Sequence, residues 1–80
     1  MPINDVELKK RFTAVLQDIE NTKQELYLKA TGANIHAFMN ERVRLIMAKM
    51  KYGNKCTRLH LATLEAHIQT AKILIHRAGL

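Results

Sequence analysis

The chain has no serine, one cysteine, one proline and three glycines among its 80 residues. Without serine, and with carboxylates scattered singly, nothing in it resembles a nucleophile set beside its base or an acid–base pair, so no enzymatic activity is expected. No glycine-rich phosphate loop is present either. Cys56 stands alone, which rules out an internal disulfide, and the start of the chain does not resemble a secretory signal. A reduced, cytoplasmic setting is the expectation. The longest uninterrupted apolar run, Leu45 to Ala48, is far short of the ~20 residues that cross a bilayer. Proline occurs only at Pro2, and there is no repeat or low-complexity stretch, so residues 1–80 read as a single domain.

Acids are scarce in the second half. Residues 1–30 hold five acids and five bases, whereas residues 31–80 hold eight bases against Glu41 and Glu65, which places the whole net charge of +6 there. With 48% hydrophobic and 25% charged residues the composition is that of a folded domain with a thin core.

Between Gly32, Gly53 and Gly79 the apolar residues recur with a helical period, predicting three helices over about 5–31, 35–52 and 57–77. On the first, Leu8, Phe12, Val15, Leu16, Ile19, Leu26 and Ala30 form one stripe that lapses near Thr22 and Lys23, a place where the helix is open to bending. Asn4 is placed as its cap, and Gly32 suits a left-handed terminating residue. The second begins at Asn34 as cap and closes at Gly53, with Ile35, Met39, Val43, Ile46 and Met50 predicted to face inward. The third, capped by Asn54 or Thr57, aligns Thr57, Leu61, Leu64, Ile68, Ala71 and Ile75. This spacing of alternating threes and fours predicts an all-α fold of helices packed nearly in line, a three-helix bundle or a long hairpin with a third helix, which self-association would complete.

Two surfaces point outward. On the third helix Leu59, Ala62, Ala66 and Ile73 form a second, weaker stripe opposite the first, and a helix apolar on two faces in so small a chain is either sandwiched or packs against another molecule. Met39, Met47 and Met50 on the second helix more often fill the core of a small domain, the alternative being a pliable thioether surface for a partner, to which Met47 is assigned. The segment 42–58 carries six bases and no acid: Arg42, Arg44, Lys49, Lys51, Lys55 and Arg58. Arg42 and Lys49 share one side of the second helix, Arg44 and Lys51 another, so they form rims on either side of an apolar stripe, their methylenes covering hydrocarbon and their charges in water. The alternative is a positive corner that contacts the phosphates of DNA or RNA, although Tyr52 is the only aromatic there to stack on a base. Cys56, His60 and His67 share one flank of the third helix but lack a fourth ligand, and no metal or cofactor is expected.

Two stretches carry resemblances. "KRFTAVLQ" followed by "TGANIHAFMNERV" resembles ribbon-helix-helix repressors, which implies a DNA-reading strand over residues 11–16 and a second helix opening with Gly32, Asn34, Ile35, Phe38 and Met39. "LEAHIQTAKILI", residues 64–75, is similar to the last helix of the small helical co-chaperones that hold type III secretion needle subunits, which implies binding to another protein. From the residues themselves the expectation is a protein-binding module, an adaptor, co-chaperone or regulator, which also self-associates. A small nucleic-acid-binding regulator is the alternative, and an acidic partner protein would use the same bases and look identical by sequence.

Overall fold

In the computed structural model, which describes residues 4–78, three helices follow one another: α1 (Asp5–Lys29), α2 (Ile35–Tyr52) and α3 (Arg58–Ala78), with one turn of 3-10 helix, Gly32–Asn34, ahead of α2. Gly79 lies outside the described residues. The fold is all-α, a three-helix bundle with no strand among the described residues.

Helix α1 begins where Asn4 Oδ1 accepts the Glu7 N–H at 2.8 Å, satisfying one of the amides that a helix start leaves free. It continues unbroken through Thr22 and Lys23. Thr22 is buried there, and its hydroxyl donates to the Asp18 carbonyl at 2.7 Å, so the polar group that interrupts the stripe is satisfied within the helix and forces no bend. Residues 11–16 are part of this helix, which replaces the strand implied by the ribbon-helix-helix resemblance. Val15 turns into the core instead of towards a groove of DNA.

Both connections depart from the expected capping. α1 ends at Lys29, with Ala30 extended; Gly32, at φ 57°, supplies the left-handed bend inside the connection, two residues past Ala30. Asn34 stands at the N-cap of α2, as expected, but its side chain makes no cap hydrogen bond to that helix. Its Oδ1 accepts the Thr31 N–H at 2.7 Å and its Nδ2 donates to the Lys29 carbonyl at 3.3 Å, tying the end of α1 to the start of α2. Gly53 is right-handed (φ −66°, ψ −18°) and not a left-handed cap. Glycine is needed there for space, because a Cβ would run into the Lys49 carbonyl oxygen and come within 3.3 Å of Leu16 Cδ2. The left-handed residue of this turn is Cys56, at φ 41°, a conformation that costs a non-glycine residue about 1–2 kcal/mol. Thr57, expected to face inward, is exposed as the cap of α3, its Oγ1 accepting the His60 N–H at 3.2 Å.

Contacts along the seams give the directions. Tyr27 meets Arg42, Glu20 meets Lys49 and Leu16 approaches Gly53, so α1 and α2 are antiparallel. Arg11 meets Glu65 and Asp18 meets Lys72, so α3 runs parallel to α1. The body measures 44 × 23 × 16 Å. Its core draws Phe12, Val15, Ile19 and Leu26 from α1, Phe38, Leu45 and Ala48 from α2, and Leu61, Leu64, Ile68, Ala71 and Ile75 from α3.

The largest difference from expectation is the rotation of α2. The residues it buries are Phe38, Glu41, Leu45 and Ala48. Of the five expected inside, Ile35, Val43 and Met50 are exposed, and Met39 and Ile46 are half-buried. At ~100° per residue the two sets lie on nearly opposite sides of the helix. The buried set wins through Phe38 and Leu45, whose large side chains are enclosed completely, and through Ala48, whose small one lets the neighbouring helices approach. It does so at the cost of enclosing a carboxylate, Glu41.

Candidate functional site

The rotation turns a whole apolar face of α2 to solvent. Val43 is 50% exposed, Met47 62% and Met50 77%, with Ile35 at one end and Met39 and Ile46 sunk between. Near the start of α2 the face continues onto α1, where exposed Tyr27 and Leu28 line a shallow groove with Ile35 and Met39. Scattered exposed apolar residues are ordinary on a small protein, but a continuous face along a helix is not.

Towards the other end, Met47 and Met50 form one wall of an open groove of about 490 Å³ between α2 and α3. Ala48 and Tyr52 contribute its apolar lining, and Arg44, Lys51 and His67 its polar edge. Tyr52 is held in place by the His60 ring, stacked 5.2 Å away at an interplanar angle of 29°.

The six bases of residues 42–58 divide between two surroundings. Arg42 and Lys49 lean on α1: the Arg42 guanidinium lies 5.7 Å from the centre of the Tyr27 ring, and Lys49 Nζ is 2.5 Å from Glu20 Oε1. Arg44 and Lys51 lie on the flank facing α3. Arg44, 68% exposed, reaches only Glu41 at 3.4 Å, while Lys51 Nζ sits 5.3 Å from the centre of the Tyr52 ring. Among the described residues, Arg42, Lys51, Lys55 and Arg58 enter no ion pair. The set expected to meet phosphates is therefore not one surface: α1 already engages two of its six members. Tyr52, the aromatic within it, is half-buried and stacked on His60.

Glu20 shows what that engagement does. Hydrogen bonds from Lys23 at 2.8 Å and from Lys49 hold its carboxyl at about 2, well below the usual 4.5, despite an opposing contribution from burial. A depressed folded-state value stabilises the fold above the unfolded-state value and loses that stabilisation as pH falls. The side chain is 41% exposed and screened by water, so the contribution is about 1 kcal/mol. Glu20→Gln should thus be about 1 kcal/mol less stable than the wild type at pH 7, the gap closing between about pH 4.5 and pH 2. Urea unfolding across that range tests it, and a gap independent of pH would disprove the electrostatic origin.

On α3, Leu59 is 72% exposed and Ile73 44%, with Ala62 and Ala66 exposed between them. These four face away from the core, but the two large side chains are separated by nearly four turns. Cys56 is half-buried in the turn and His60 is engaged by Tyr52 and Thr57. Among the described residues no three of His, Cys, Asp or Glu converge as metal ligands, and no helix is long and apolar enough to cross a membrane.

The residues that sequence reasoning missed as surface are Ile35, Val43 and Met50, with half-buried Met39 and Ile46 between them. A signal was present, since Phe38 and Leu45 are seven residues apart and mark a second line on α2. Glu41, between them, disguised it. No family model, curated protein or solved structure matches the chain.

Proposed function

We propose that this protein is a non-enzymatic binding module, an adaptor, co-chaperone or regulator working in the cytoplasm, that docks a partner protein on the outer face of α2. The observation that carries the reading is the exposed line of Ile35, Val43, Met47 and Met50, apolar surface that the fold of one chain does not use. Methionine suits such a face because its unbranched, polarizable side chain adapts to the shape of what covers it. The weaker line of Leu59, Ala62, Ala66 and Ile73 on α3 is a separate surface, available to a second contact or to self-association. The division of the bases supports this reading over a phosphate-gripping one, because Arg42 and Lys49 are occupied on α1 and the groove beside Arg44 and Lys51 is mainly hydrocarbon.

The test compares Val43→Glu/Met50→Glu with Leu59→Glu/Ile73→Glu in affinity capture, with circular dichroism as the folding control. A protein retained by the wild type and by the α3 variant, but lost by the α2 variant at unchanged helicity, is the expected result. Retention by the α2 variant would reject the face. A sizing-column shift onto duplex DNA or structured RNA that vanishes at high salt would reject the reading in favour of nucleic acid.

A further inference from the structure

We infer that the occupant of this face is an acidic amphipathic helix of another protein, lying along α2 with its carboxylates on the Arg44 and Lys51 side and a bulky apolar side chain in the α2–α3 groove. The inference rests on the protein-binding reading above and identifies the partner's chemistry. Length sets the first constraint. From Ile35 to Met50 the face rises ~22 Å at 1.5 Å per residue, which matches about four turns of a partner helix.

Charge sets the second. Two basic rims border the apolar line, and they are not equivalent. The α1-side rim is turned towards the chain itself: Lys49, half-buried, pairs with Glu20, and Arg42, half-buried, lies against the Tyr27 ring. The α3-side rim stands in solvent: Arg44 is 68% exposed with only the distant edge of Glu41, and exposed Lys51, over the Tyr52 ring, pairs with no acid among the described residues, nor do Lys55 and Arg58 beyond it. A partner therefore gains most by presenting acids along one flank only. A second copy of this chain is a poor occupant, since it would bring its own α2 rims and a net charge of +6 against the same bases. A bilayer is a poor occupant as well. It is flat, and the apolar surface here dips into a groove of about 490 Å³ at the α2–α3 seam, which a protruding side chain fills and a planar surface does not.

The probes are three fluorescently labelled 18-residue helical peptides that share a leucine stripe and differ along one flank, which carries Glu, Gln or Lys. Anisotropy at physiological salt should show the Glu peptide binding about tenfold more tightly than the Gln peptide, and the Lys peptide weakest. Arg44→Glu/Lys51→Glu should invert the order of the Glu and Lys peptides. Arg42→Gln, on the half-buried rim beside α1, should leave the order unchanged. Equal binding of all three peptides by the wild type, abolished by Val43→Glu/Met50→Glu, would overturn the acidic partner while leaving the protein-docking face intact. Binding of none of them would overturn the inference, as would capture by phosphatidylserine vesicles or by duplex RNA in place of the peptides. A Glu preference that survives Arg44→Glu/Lys51→Glu would overturn the assignment to this rim.

Discussion

Leu45→Ala should lower the free energy of unfolding by about 3 kcal/mol, whereas Met50→Ala should change it by no more than about 0.5 kcal/mol. Leu45 is fully enclosed by the other two helices and Met50 is 77% exposed, so only the first substitution opens a cavity. Phe38→Ala belongs with Leu45→Ala and should cost about 3–5 kcal/mol, a large part of the total stability of an 80-residue domain. Val43→Ala belongs with Met50→Ala. Urea denaturation followed by circular dichroism measures all four. The reverse ranking, with Val43 and Met50 costly and Leu45 cheap, would mean that α2 packs with its other side inward, and the proposed docking face would vanish with it.

The second large effect has the opposite sign. Glu41 is a buried acid whose Oε1 has no hydrogen-bond partner and whose Oε2 is met only by Arg44 at 3.4 Å. Enclosing a carboxylate with so little in return is destabilising, and a well-packed apolar side chain of similar size removes the penalty. Glu41→Leu should stabilise the protein by about 1–3 kcal/mol, with Glu41→Gln between it and the wild type. A loss of stability in Glu41→Leu would show that the carboxylate is supported where it lies. The same substitution deprives Arg44 of its one acid, so it should also tighten binding of the Glu-flanked peptide.

These two experiments bear on the helix where sequence and structure part. α1 was legible because its apolar residues occupy one side and its charges the other; even Thr22, which breaks the stripe, lies in line with it. α3 was legible because Leu61, Leu64, Ile68, Ala71 and Ile75 outweigh Leu59 and Ile73 in number and alignment. On α2 the two sides are nearly matched in apolar content, and periodicity has no means of choosing between them. Packing chooses, through the volume of Phe38 and Leu45 and the smallness of Ala48, quantities that exist only once α1 and α3 are alongside. The division of the bases was hidden for the same reason. Sequence spacing separates Arg42 and Lys49 from Arg44 and Lys51, but only the antiparallel seam brings Tyr27 and Glu20 to the first pair.

All three ion pairs that join different helices among the described residues have one end on α1: Arg11 with Glu65, Lys49 with Glu20, and Lys72 with Asp18. Mechanically, α1 is a spine to which the other two helices are each pinned, and α2 and α3 are not pinned to one another. Their shared seam is closed by apolar packing and by the Tyr52–His60 stack, so salt, which screens the ion pairs of the two α1 seams, leaves this one unchanged.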